Sequence, residues 1–238
     1  MRFSALRRVV AGVAVAVTAA TGLVAATTDS SSAASTCTLK ASLPSKVVIN
    51  KSSVTFYSTL SGSGNCRPVR GEFYGADAYF DGPDGIEDLP YWDNLGDKYR
   101  FDFYAYVGNP GTYRLEDGDA LIWTADYDEV PVRWTSTKTS IRYGSKLSVA
   151  TKRNGRKVTI SGTAKKYTWL ADYRAYKTTV YLQRRSKGSK TYKAYKTLKS
   201  NSSGKVSYSY NTKSKYYYRL VIKNTSGVWG STTAGSYR

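Results

Sequence analysis

Thr178–Ile222 reads TTVYLQRRSKGSKTYKAYKTLKSNSSGKVSYSYNTKSKYYYRLVI. Apolar or aromatic residues alternate with Lys, Arg, Ser and Thr at a period near two, the pattern of half-buried antiparallel strands. Turn residues separate the runs at Lys187-Gly188-Ser189 and at Asn201-Ser202-Ser203-Gly204. Strand parity assigns Val180, Leu182, Val206, Tyr208, Tyr218, Leu220 and Ile222 inward. It leaves Tyr181, Arg185, Tyr192, Tyr217 and Arg219 facing out. The stretch predicts a small β-sandwich with a cationic, aromatic outer surface.

Working outward, the 238-residue chain has room for two ordinary domains. It carries 22 Tyr against six Phe and one Met. Tyr suits strands that are wet on one face and buried on the other, which favours an all-β protein. Helical periodicity is absent after the first 26 residues.

Residues 1–34 read as a secretion signal with its lead-in. Arg2, Arg7 and Arg8 precede the apolar run Val9–Ala26, and small residues follow at Val24-Ala25-Ala26 and Ser32-Ala33-Ala34. A retained membrane anchor and a twin-arginine route are the competing readings. Thr36 and Ala34 fit a lipid-attachment box at Cys37 poorly. After cleavage the expectation is a chain with no transmembrane segment, secreted and extracellular or held at the cell wall. Cys37 and Cys66 are the two cysteines. In an exported chain so isolated a pair predicts one disulfide rather than a redox site.

Charge divides the chain. Residues 37–134 hold nine Lys and Arg against fifteen Asp and Glu, a net of −6. Residues 135–238 hold 24 basic residues against Asp172 alone, a net of +23. A break this sharp marks a domain boundary, giving an acidic domain over 37–134 and a basic, Tyr-rich one over 137–238. In the first, strand signals run over 38–43, 46–49, 54–60, 72–80, 99–107, 112–115, 121–125 and 130–134. In the second they run over 140–143, 146–151 and 157–162 before the opening stretch, with Asn154-Gly155 as a type I′ hairpin signal and 164–177 as an elongated loop. Pro110-Gly111-Thr112-Tyr113 has the Gly-x-Tyr arrangement of the tyrosine corner in immunoglobulin-like folds. Tyr218 holds the equivalent late position in the second domain. The expected fold is two tandem Ig-like antiparallel β-sandwiches.

Lys157–Thr163, Val180–Arg185 with Gly188 and Tyr192, Gly204 with Tyr208, and Tyr218-Arg219 together resemble the Ig-like β-sandwich modules of secreted actinobacterial proteins. The resemblance covers residues 137–238. It implies an exported module without assigned catalysis, and its motifs mark fold rather than ligand.

No histidine is present anywhere. That removes Ser-His and Cys-His nucleophile pairs, His-ligated zinc and a histidine general base. The loop Asp81-Gly82-Pro83-Asp84-Gly85-Ile86-Glu87-Asp88, with Asp93 and Asp97 beyond, is the candidate cation site: Asp81, Asp84, Glu87 and Asp88 offer oxygens to a structural Ca²⁺. Solvated turn acids are the plain alternative, and a glycosidase-type carboxylate pair is a third. No other cofactor is implied. Basic residues interleaved with Tyr suit a polyanion, the cations neutralising phosphate or sulfate and the rings stacking. The expected polyanion face comprises Tyr181, Arg185, Lys190, Tyr192, Lys193, Lys196, Tyr217 and Arg219. For an exported chain, an anionic cell-wall or extracellular polymer is a more natural partner than nucleic acid. The competing readings are a solvated surface with Lys guarding strand edges and a protein-interaction module. In the latter, the basic domain pairs with an acidic one of its own kind or of another secreted protein. A carboxylate-dependent glycan hydrolase is the third function considered.

Overall fold

The computed structural model describes residues 36–67 and 71–238. The leader expected over 1–34 lies outside them. Among the described residues all regular structure is strand, and no helix is long and apolar enough to cross a membrane.

The first half contains β1 (Cys37–Ser42), β2 (Lys46–Ile49), β3 (Ser53–Gly64), β4 (Glu72–Asp77), β5 (Tyr79–Gly82), β6 (Gly85–Asp88), β7 (Tyr91–Trp92), β8 (Lys98–Tyr104), β9 (Gly111–Glu116), β10 (Ala120–Trp123), β11 (Val132–Trp134) and β12 (Thr137–Tyr143). Sheet β11-β1-β3-β8 packs over sheet β2-β12-β9-β5-β6, and β10-β4-β7 forms a small third sheet. Alternation decides each buried face. In β8, Phe101 and Phe103 turn in while Arg100 and Asp102 turn out. Leu39, Phe56, Leu60, Phe80, Phe101, Tyr113, Leu115 and Ile141 fill the space between the large sheets.

The second half contains β13 (Ser145–Leu147), β14 (Ala150–Asn154), β15 (Lys157–Tyr167), β16 (Tyr173–Ala175), β17 (Thr179–Ser186), β18 (Lys193–Lys199), β19 (Lys205–Asn211), β20 (Tyr216–Ile222), β21 (Ser231–Thr232) and β22 (Ser236–Tyr237). Strand β15 pairs with β14 and β19, and farther along with β13 and β16. The opposing sheet runs β18-β17-β20, with β21 and β22 on the outer edge of β20. Val158, Ile160, Val180, Leu182, Val206, Tyr218, Leu220 and Ile222 form its core, and Tyr208 packs against it. The inward set read from strand parity is the set the core uses. The fold is all-β, built of Ig-like antiparallel sandwiches.

Four local expectations change. The run Glu72–Phe80 is not one strand. It breaks at buried Ala78, where Asp77 N–H donates to Asp119 and Ala78 N–H to Pro90, so β4 and β5 enter different sheets. Residues 164–177 are not a loop. β15 continues to Tyr167, turns through Thr168–Asp172 and returns as β16. The hairpin loop after β14 is Gly155-Arg156, with φ +55 at Gly155, so its centre is one residue beyond Asn154-Gly155. Strand β12, which the charge break places with the second half, pairs antiparallel with β9 and parallel with β2, and buries Ile141 in the first core.

The tyrosine corner forms at Tyr113. Its hydroxyl donates to the Asn109 carbonyl at 2.6 Å, and its ring lies where a Cβ at Gly82 would collide with it. Tyr218 does not repeat that corner, because its hydroxyl meets the Tyr210 hydroxyl of β19 at 2.6 Å instead. Cys37 and Cys66 are joined across a separation of 29 residues, tying β1 to the chain that leaves β3. The halves meet where Tyr143 bridges Val228. There the Trp229 indole N–H donates to the Val47 carbonyl at 2.7 Å.

Two stability outcomes are expected in urea unfolding. Replacing Cys37 and Cys66 together by Ser should cost about 3.6 kcal/mol by the loop-entropy relation. Tyr113→Phe, which leaves the Asn109 carbonyl without its buried donor, should cost about 1 kcal/mol. A disulfide-free variant as stable as the parent would show that the bridge restrains nothing in the unfolded chain.

Candidate functional site

The outer face of β17 and β20 is a ladder of tyrosine and arginine. Register sets Gln183 opposite Arg219 and Arg185 opposite Tyr217, so the outward residues of both strands fall side by side. Arg219 Nε donates to Gln183 Oε1 at 2.8 Å, and its guanidinium carbon lies 4.1 Å from the Tyr192 ring centroid. The Arg185 guanidinium lies 4.0 Å from the Tyr217 ring and 5.2 Å from Tyr192, with Nη1 donating to the Ser189 carbonyl at 2.6 Å. Tyr217 packs on Tyr237 of the edge strand at 4.6 Å. Lys223 Nζ lies 4.5 Å from the Tyr181 ring. A Cβ at Gly235 would collide with the Tyr192 hydroxyl, so the glycine there lets Tyr192 lie close against the sheet.

Of the eight residues expected on this face, Tyr181, Arg185, Tyr192, Tyr217 and Arg219 are brought together. Lys190, Lys193 and Lys196 are exposed but elsewhere. Pairing of β17 with β18 slips by one residue between Leu182 and Gln183, setting Lys196 opposite Leu182 and Lys193 opposite Arg184. Lys190 stands in the loop between these strands. The slip turns Tyr195 and Leu198 toward the core and moves Lys193 to the open end of the sandwich.

Arg184 was absent from the expected set. Its parity is that of Val180 and Leu182, so it enters the sandwich end, where its guanidinium lies 3.8 Å from the Tyr195 ring and 4.5 Å from Tyr216. Its Nη1 donates to the Tyr210 hydroxyl at 3.2 Å. A charged residue in an inward register was the signal available in the sequence. Burial, and then the Tyr208 hydrogen bond, push the Tyr195 phenol up to about 12. Asp172, the single Asp or Glu after Glu129, is engaged elsewhere by Thr168 at 2.9 Å and by Arg174 at 3.0 Å.

The acidic hairpin β5–β6 disperses its carboxylates. Asp84 accepts from Asn109 Nδ2 at 2.7 Å. Asp88 accepts from the Tyr99 hydroxyl at 3.1 Å and from the Leu89 N–H at 2.9 Å. Glu87 sits at the mouth of a cleft of about 240 Å³ walled by Phe56, Phe80, Phe101 and Phe103. Burial, with the Asp84 charge second, pushes its carboxyl above the ordinary range. Asp81 Oδ1 is buried without a hydrogen-bond partner. Among the described residues no three His, Cys, Asp or Glu side chains gather as a metal ion would require. Asp84 and Asp88 are held by different partners, while Glu87 and Asp88 line the same cleft.

No family model matches the chain, and no curated protein does. Among solved structures it is similar to Salmonella alpha-2-macroglobulin reacted with methylamine, at 11% identity and TM-score 0.36, covering 86% of this chain and 14% of that one. It is also similar to the three N-terminal domains of the outer capsid protein Hoc of bacteriophage RB49, at 10% identity and TM-score 0.32, covering 85% of this chain and 68% of that one. The chain thus spans a small part of the macroglobulin.

Alkaline unfolding tests the buried phenols. Tyr195 keeps its proton in the fold up to about pH 12, whereas an unfolded tyrosine releases it near 10. Between those values the unfolded state binds fewer protons, so stability should fall as pH rises through this window and be constant below it. In Tyr195→Phe the fall should be shallower; an unchanged slope would remove Tyr195 as its source.

Proposed function

We propose that the protein is an exported, non-catalytic binding protein whose basic half adheres to an anionic polymer of the cell envelope or extracellular matrix. The observation that carries this is the ladder of Arg185, Arg219, Tyr192 and Tyr217. Its guanidinium groups rest on rings rather than on carboxylates. The hydrogen bonds of Arg219 to Gln183 and of Arg185 to the Ser189 carbonyl go to neutral acceptors, so the face keeps its full charge. The disulfide, the leader-like residues 1–34 and the resemblance to exported actinobacterial modules support export. The absence of histidine supports a non-catalytic reading.

Binding of the full chain to purified cell walls, followed by co-sedimentation at two ionic strengths, is the test. Polyanion binding by several cations should weaken by tenfold or more between roughly 50 and 200 mM salt. Arg185→Ala with Arg219→Ala should weaken it at low salt. Equal sedimentation at both salt concentrations would sink the reading.

One observation favours a second reading, association of acidic and basic halves between copies. Fourteen of the fifteen acids in 37–134 fall within 71–97 and 115–132, two segments with no Lys or Arg. The structure gathers parts of both into sheet β10-β4-β7. Exposed Tyr74, Tyr91 and Leu121 there flank a groove of about 390 Å³ that Asp77, Asp119 and Glu129 also line. Such a contact joins unlike surfaces head to tail, which builds rings where the rotation closes and open chains where it does not. Sedimentation velocity should then show oligomers that grow with concentration and dissolve in salt, and Asp119→Lys with Glu129→Lys should abolish them. A monomer at all concentrations excludes this pairing.

A further inference from the structure

The end of the second sandwich holds an arrangement that the outer ladder does not explain. Arg184 and Lys193 stand directly opposite each other on β17 and β18, and like charges in that relation destabilise a sheet pair. Ordinarily a carboxylate lies nearby. Here the half has only Asp172, already held by Thr168 and Arg174. Both cations instead line one concavity of about 320 Å³, shared with Arg185, Ser186, Ser189 and Tyr216.

The walls are held in place before any ligand arrives. Arg184 lies on the Tyr195 and Tyr216 rings and donates to Tyr210. Arg185 donates to the Ser189 carbonyl. Ser189 Oγ in turn accepts from the Thr191 N–H at 3.2 Å, and Gly188, at φ +86, makes the turn between them. Two guanidinium groups, one ammonium and serine hydroxyls therefore meet at one concave site without a negative partner.

We propose that this concavity binds one tetrahedral oxyanion, a phosphate or sulfate group, through Arg184, Arg185 and Lys193. The inference rests on the polyanion reading and names the group that the polymer presents. A phosphate or sulfate offers three or four acceptor oxygens in different directions and can engage both guanidinium forks and the ammonium together. A carboxylate is planar, carries one charge and satisfies one fork. The bound group also offsets the Arg184–Lys193 repulsion, so the site and the strand pair are stabilised together.

Isothermal titration of the full chain with inorganic phosphate, sulfate and acetate at one fixed ionic strength tests this. Phosphate and sulfate should bind and acetate should not. Lys193→Gln alters an exposed side chain and should weaken phosphate about tenfold, the loss of one charge-assisted hydrogen bond. The same variant in chloride buffer should melt no lower than the parent, because it removes a like-charge contact. Lys193→Gln with Arg185→Gln should abolish phosphate binding, and far-ultraviolet circular dichroism checks that the pair still folds. A poly(glycerol phosphate) oligomer and a sulfated glycan, titrated in parallel, assign the polymer source. Equal affinity for acetate, or unchanged phosphate affinity in Lys193→Gln, overturns the proposal. If that happens while cell walls still bind in a salt-sensitive way, the polymer reading stands and this site alone fails. If neither phosphate nor walls bind, both fail.

Discussion

Twenty-four basic residues share the second half with one aspartate, so its guanidinium groups have almost no carboxylate to meet. Three of them lie on tyrosine instead: Arg184 on Tyr195 and Tyr216, Arg185 on Tyr217, Arg219 on Tyr192. A cation over an aromatic face is stabilised by roughly 0.5 to 2 kcal/mol depending on desolvation, comparable with or better than an exposed ion pair at about 0 to 1 kcal/mol. The consequences differ. A carboxylate cancels the charge and occupies the N–H fork. A ring holds the group still and does neither. The scarcity of acid therefore both requires the tyrosines and keeps the surface cationic.

It also explains why the rings are tyrosine and seldom phenylalanine. Half-buried strands need an apolar body and a tip that can find a partner. Tyr113 gives its hydroxyl to Asn109, Tyr143 to Ala105, and Tyr210 and Tyr218 to each other. The phenol that closes a corner in one sandwich links two strands in the other. Similar topologies are thus held by different hydrogen bonds, and a short motif around Tyr218 does not transfer its role with its position.

Much of this was legible along the chain. Parity read from Val180, Leu182, Leu220 and Ile222 identified the core face, because a period of two survives whatever the partner strand is. It identified the ladder for the same reason. What parity cannot carry is the relation between strands. The one-residue slip at Leu182 and Gln183 is a property of how β17 meets β18. Lys193 and Lys196, three residues apart, would face opposite sides of an unslipped pair, and the slip sets both opposite the inward-register residues Arg184 and Leu182. The break at Ala78 depends on the Asp119 and Pro90 carbonyls, distant in sequence. Strand β12 carries the basic composition of the second half but an apolar Ile141 that fits the first core. Charge marks where composition changes, and packing decides where a strand belongs.

The contact between the halves bears on what the opposite charges are for. It is built from β2, β12, the segment after β20 and the β15–β16 hairpin, whose Tyr167 and Tyr173 pack on the first core, and among the described residues no ion pair crosses it. Trp229 lies at its centre, with Lys46 Nζ 4.6 Å and the Arg142 guanidinium 4.4 Å from its ring and its indole N–H on the Val47 carbonyl. Aromatic packing, cation–π contacts and backbone hydrogen bonds hold this joint, and no acid–base pair takes part. The carboxylates of β4, with Asp119 just before β10, and the guanidinium ladder of β17 and β20 lie outside it. Attraction between the two halves of one molecule is therefore not what their charges achieve. Among the described residues no ion pair joins the two charged surfaces, so the charge of each is left uncompensated by the other.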